Sequence, residues 1–365
     1  MNPVITPEIR EVMQAVHYRP AVSIIMPFTP KMGLSAELSY SLKTAADKVE
    51  KELAVNYPED LARLVTQKLR QLIKTLNYTN DKKSIAIYVS PVFEKVLYLD
   101  IEVEEKILVD ESFEIRDLVY SRKQLHKYLL LLLSAGAMRI YLCHTGGIEK
   151  IIADTPVSAE GIINDAPEKV GNFSDPHERK EIIMEKFLHH ADKSLADILH
   201  TYQLPLFIMG TERILGHFRK ITRHTPAVID YITGNYEDAS PAEIKEILIP
   251  YTEGWNKTKQ KEVVDRLEEA AGNKKLAVGI KDVWKEAMNK KGRLLVVEKN
   301  YMYPAVHDGS PGGITETILP NQHFSGIKDA VDDVIEKVLE NGGDVEFVTE
   351  GTLKDFQRIA LELYY

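Results

Sequence analysis

The chain has 365 residues, 44% hydrophobic and 28% charged, with a formal net charge of −9 at pH 7. The length exceeds one ordinary core and sets an expectation of two or three domains, while the charge argues against a protein that coats nucleic acid nonspecifically. A lone cysteine, Cys143, excludes an intrachain disulfide and a multi-cysteine zinc site.

The longest apolar run, YLLLLLSAGAM at 128–138, falls short of the roughly 20 residues that a membrane span needs. The first residues, MNPVITPEIREVMQ, carry acids and no apolar signal core. The expectation is therefore a cytoplasmic protein with no membrane partner. Lys and Arg against Asp and Glu number 14 and 17 in residues 1–115, 15 and 14 in 116–235, and 17 and 24 in 236–365. The middle block is near neutral and holds eight of the eleven histidines. A polyanion would meet this block before the other two.

In the first block, AVSIIMPFTP (21–30) reads as a strand. Two amphipathic helices follow: Leu38, Leu42, Ala45, Ala46, Val49 and Leu53 recur at helical spacing, and Leu61, Leu64, Val65, Leu69, Leu72, Ile73 and Leu76 repeat it. Strands are expected at 84–90, 95–101 and 105–109, giving a small α/β sandwich with a mixed or antiparallel edge. A boundary falls near 112–118.

The middle block reads as strand, Gly-Gly hairpin, strand, loop, helix, buried strand, helix. Gly146-Gly147 serves the turn, where positive φ is needed. The long helix, about 176–202, starts with Asp175 as N-cap and Pro176 in its first turn. PLFIMG (205–210) is apolar throughout, as a strand covered on both faces should be. A helix at 213–224 and a strand at 227–234 close the block.

The last block predicts a helix at 240–271 opened by Ser240-Pro241, a helix at 280–289, a strand at 293–298 and a 26-residue loop at 299–324. A helix at 325–343 with a Gly C-cap, a strand at 344–348 and a terminal helix complete it. Helices alternating with strands imply an α-β-α layer. The fold class expected is mixed α/β in three domains, at 1–115, 116–235 and 236–365.

The strings SIIMPFTP, GAMRIYLCHTGGIEKI, LPLFIMGTERI, GNYEDAS, AGNKKLAVGIKDVWKEAMNKKGRLLVVEKN and NGGDVEFV, in this order over most of the chain, resemble the bacterial relatives of archaeal and eukaryotic class-1 peptide-chain release factors, a group that includes Pelota-like rescue proteins. The resemblance implies an N-terminal α/β domain, an RNase H-like middle domain and an L7Ae/Pelota-like α-β-α C-terminal domain. It also implies a ribosome or tRNA as partner and no cofactor. In release factors the loop between the middle hairpin and the long helix presents a Gly-Gly-Gln to the ester of peptidyl-tRNA. Here that loop is about 155–177, its glycines Gly161 and Gly171 are isolated, and it has no glutamine. The resemblance thus implies a scaffold for binding without that hydrolytic centre, with Gly161, Lys169, Gly171 and Asn172 as the loop's presented residues.

Other features bear on chemistry. On the 213–224 helix, Arg213, His217, Lys220 and His224 form a stripe at spacings of 4, 3 and 4, flanked by Arg219 and Arg223; such a stripe can track phosphates. Glu185 and His189 share a helix face, His190 points away, and neither His177 nor His200 converges on them, so no metal is expected. A second reading is a metal-dependent nuclease or esterase using Asp154, Asp175, Glu178 or Glu185. A third is a docking module without a nucleic-acid role, with the acidic C-terminal block meeting a protein partner. No Walker loop, dinucleotide fingerprint or nucleophile elbow is present.

Overall fold

The structure is a computed structural model describing residues 7–13, 15, 19–28, 35–78, 82–124, 127–134, 137–144, 147–151, 176–307, 313–317 and 326–365. The chain is mixed α/β and divides into two compact units, one formed by Met1–Gln124 with Lys259–Tyr365 and the other by Leu125–Thr258.

The first unit opens with α1 (Pro7–Met13), β1 (Ala21–Pro27), α2 (Ser35–Asn56) and α3 (Glu59–Lys74). Next come β2 (Ser84–Val89), β3 (Glu94–Leu99), β4 (Lys106–Asp110) and α4 (Arg116–Gln124). The strands form one sheet in the order β3-β2-β1-β4, antiparallel throughout. Side chains alternate across a strand. Val22, Ile24 and Met26 accordingly pack under α2 and α3 with Leu42, Val49, Val65 and Leu69, while Ala21 and Ile25 join Ile9 and Val12 of α1 on the other face.

The second unit contains β5 (Tyr128–Leu133), β6 (Met138–His144), β7 (Gly147–Ile151) and α5 (Pro176–Tyr202), then β8 (Leu206–Gly210), α6 (Glu212–Ile221) and β9 (Val228–Thr233). Its sheet runs β7-β6-β5-β8-β9, antiparallel from β7 to β5 and parallel from β5 to β9. The leucine run measured above against a membrane span is thus the central strand β5. Leu129, Leu131 and Leu133 meet Phe187, Leu188 and Leu195 of α5 and Leu215 and Phe218 of α6; Leu130 and Leu132 face the other side. There Ile244 and Leu248 of α7 (Pro241–Gly272) cover them. Among the described residues, no helix is long and apolar enough to cross a membrane.

The later part of α7 belongs to the first unit, followed by β10 (Leu276–Val278), α8 (Ile280–Met288), β11 (Gly292–Glu298), β12 (Ala305–His307), β13 (Ile314–Glu316), β14 (Gly326–Ile327), α9 (Ala330–Glu340), β15 (Asp344–Val348) and β16 (Ile359–Leu363). One sheet has the order β10-β16-β11-β15 and a smaller one β13-β12-β14. One core cluster runs from Ile9, Tyr88 and Leu118 through Trp284, Leu295 and Val334 to Leu361, joining the early and late parts of the chain.

Several expectations change. The helix expected at 325–343 starts only at Ala330, where the Asp329 side chain accepts from Val331 N. Its glycine end holds: Gly342 sits at φ +80, and Gly343 N reaches Val338 O at 2.9 Å. The 299–324 stretch is not a plain loop, because β12 and β13 pair within it. The terminal helix is instead β16, which bonds to β10 and β11 on its two edges. Residues 116–124 sort with the first unit because Arg116, Leu118 and Val119 are buried in that unit's core.

Candidate nucleic-acid interface

The candidate face lies on α5, α6 and the turn after α6. Gly210 ends β8, and a Cβ there would sit 2.7 Å from Leu133 O, so only glycine lets β8 lie this close to β5 where α6 begins. Ile214, Leu215 and Phe218 bury one face of α6 against the sheet, which leaves the polar residues on the other.

The helix is shorter than its charge pattern implies. It stops at Ile221, with Thr222 in extended backbone (φ −64, ψ 136). His224 N then donates not to a helical carbonyl but to Thr222 Oγ1 at 3.2 Å, and a 3-10 turn follows over Thr225–Ala227. Pro226 cannot sit inside a continuing helix and disfavours helical backbone before it. Arg223 and His224 therefore leave the helical stripe.

Three of the six basic residues have partners inside the unit. Arg213 reaches Glu181 of α5 at 3.0 Å, a half-exposed pair worth about 0–1 kcal/mol. The guanidinium of Arg219 lies 4.2 Å from the ring centroid of Tyr231 on β9. His224 Nε2 lies 3.2 Å from Asp192 O and 3.8 Å from Asp192 Oδ1 on α5. Burial pushes the Tyr231 hydroxyl up, partly countered by Arg219. Asp192 Oδ1 is buried without a hydrogen-bond partner among the described residues. The ties at Glu181–Arg213 and Asp192–His224 are eleven residues apart in both segments, so α5 runs alongside α6 in the same direction.

Lys220 and Arg223 are exposed, His217 is half-buried, and none of these three has an ion-pair partner among the described residues. Among the six predicted basic residues, the free positive charge thus reduces to Lys220 and Arg223. Sequence reasoning missed Glu181, Asp192 and Tyr231. Asp192 carried a weak signal, as a charge within the apolar stripe of α5.

Gly161, Lys169, Gly171 and Asn172 lie outside the described residues, as do Asp154, Asp175 and the side chains of His177 and Glu178. Glu185 and His189 are exposed on α5, and among the described residues no group of three or more His, Cys, Asp or Glu side chains could hold a metal. Gly147 pairs with His144 as the first residue of β7, and Gly146 lies outside the described residues. Cys143 is buried, and burial pushes its thiol up to about 12 despite a hydrogen bond with Tyr128. It is inert core.

The three-layer second unit, with its hairpin, long helix and buried parallel strand, is the class of scaffold that the sequence strings suggested. Residues 127–291 match the family described as bacterial archaeo-eukaryotic release factor family 3. Over that segment, which is under half of the chain, the protein is similar to the bacterial archaeo-eukaryotic release factor-like group. A search of curated proteins finds no match. Among solved structures, archaeal translation termination factor aRF1 is 12% identical, with 98% of this chain and 96% of that chain covered and a TM-score of 0.24. Archaeal Pelota, from a model of ribosome-bound Pelota and ABCE1, is 11% identical over 97% and 92%, with a TM-score of 0.43. Dom34 of S. cerevisiae, a translation termination-like factor, is 12% identical over 79% and 75%, with a TM-score of 0.39.

Proposed function

We propose that this chain binds the ribosome or tRNA in termination or rescue of translation and does not hydrolyse peptidyl-tRNA through a Gly-Gly-Gln. The family match over the second unit supports the first half. The second half rests on sequence: the three Gly-Gly pairs, at 146–147, 312–313 and 342–343, are followed by Ile148, Ile314 and Asp344. The loop between β7 and α5 has no glutamine. A water placed on the ester needs a polar side chain held there by permissive backbone, and Gly161 and Gly171 stand alone.

The observation that carries the reading is a release-factor-like match over the second unit whose connecting loop has no glutamine and no paired glycines. RNA contact falls to Lys220 and Arg223, with Gly161, Lys169, Gly171 and Asn172 at the loop. In a low-salt sucrose gradient, the protein is expected to sediment with ribosomes. Lys220→Ala combined with Arg223→Ala is expected to weaken this association by about tenfold or more, since charged hydrogen bonds contribute roughly 1.5–3 kcal/mol each. A protein that stays at the top of every gradient contradicts the reading.

A further inference from the structure

The first unit holds an open recess of about 570 Å³ between the end of α7, β11 and β16, bordered by Arg266, Glu269, Asn273, Lys275, Arg293 and Glu362. We propose that this recess binds a phosphoryl group carried on a ribose.

The arrangement of the two guanidiniums supports an anion. Glu362, 7% exposed, sits between them: Arg266 Nε donates to its Oε2 at 2.7 Å, and Arg293 Nη1 donates to its Oε1 at 3.0 Å. One carboxylate therefore fixes both forks while leaving donors on each, because a guanidinium has five N–H groups. Arg266 Nη1 and Arg293 Nε and Nη2 are not used by Glu362. Such fixed, planar donors suit phosphate geometry.

Local charge points the same way. Three cations face two carboxylates at the recess, so it is net positive within a block that has 17 basic and 24 acidic residues. The volume lies in the range of small-molecule sites and is too large for a bare oxyanion. The wall is polar, and Glu269 and Asn273 offer the acceptors and donors that sugar hydroxyls need. A ribose phosphate meets both requirements.

The test is a phosphorus NMR titration of the full chain with ribose 5-phosphate, using orthophosphate and ribose as competitors. Saturable binding, stronger than that of orthophosphate and insensitive to ribose alone, is expected. Arg293→Ala should weaken it by about tenfold or more, with the melting temperature only slightly lowered because Arg266 still pairs with Glu362. Lys275→Gln, at an exposed position, serves as the second variant and should also weaken it. A short RNA that displaces the sugar phosphate assigns a chain phosphodiester as the natural form, whereas failure to displace it assigns a free nucleotide. No binding, binding equal to orthophosphate, or binding unaltered in both variants would overturn the proposal.

Discussion

Arg116 is among the largest fully buried side chains, and its guanidinium meets the carboxylate of Asp329. Asp329 also accepts from Tyr303 N at 3.0 Å and Val331 N at 3.1 Å, so one side chain neutralises a buried charge and caps α9. Arg116 Nε and Nη1 have no partner among the described residues. Stranding a buried charge is costly, whereas replacing the whole pair is often neutral. Asp329→Ala is therefore expected to lower unfolding free energy by about 3–5 kcal/mol in urea denaturation. Arg116→Met with Asp329→Asn should lower it far less. Equal losses in both would mean that the pair is not what holds this point. None of these partners could be read from the sequence, because Arg116 and Asp329 are separated by more than half the chain.

At the scale of the element, α9 carries an unusual burden of acids. Asp332 is buried and accepts from Arg116 N at 2.7 Å, which caps the start of α4. Burial, then Glu114, pushes its carboxyl well above the ordinary range, although Arg116 and the backbone donor of Ile115 pull it back. Burial and then Asp110 push Asp333 up to about 7, and burial and then Glu340 push Glu336 up to about 7. Burial likewise raises Asp110 to about 6, against the pull of Lys328. These folded-state values lie above the unfolded ones, so the folded chain holds more protons. Stability from these groups is full below about pH 4 and declines as pH rises through 6 to 7. The urea midpoint is expected to be higher at pH 5.5 than at pH 8, and Asp333→Asn should flatten the difference. A midpoint that rises across that interval contradicts this account of α9.

The same scale shows what sequence could convey. The periods of α2, α3 and α5 were legible because each buries a continuous stripe, and Ser240 with Pro241 announced the start of α7. There Ser240 N and Oγ donate to Glu243 Oε2 at 2.8 and 2.7 Å. Strand β16 was not legible. Its string IALEL favours helix, yet pairing on both edges overrides that preference. Strands β12, β13 and β14 are two or three residues long and too short for an alternating pattern to register. The end of α6 was misread because a charge stripe carries no information about backbone. Pro226 did, and it was the better guide.

For the whole molecule, the proposed RNA contact sets a chain of net charge −9 against a polyanion. Each phosphate neutralised on single-stranded RNA contributes about −0.7 to the slope of log K against log salt. Contacts from Lys220 and Arg223 alone therefore predict a slope of roughly −1.4, and all four Lys and Arg residues of the stripe acting together would give about −2.8. A filter-binding series from low to physiological salt distinguishes these. A slope near −2.8 would mean that Arg213 and Arg219 abandon Glu181 and Tyr231 on binding.

The most direct test of the central claim uses ribosomes carrying radiolabelled peptidyl-tRNA, incubated with excess protein and pelleted. The account predicts protein in the pellet and labelled peptide retained there with it. Peptide released into the supernatant, or a pellet free of the protein, would contradict it.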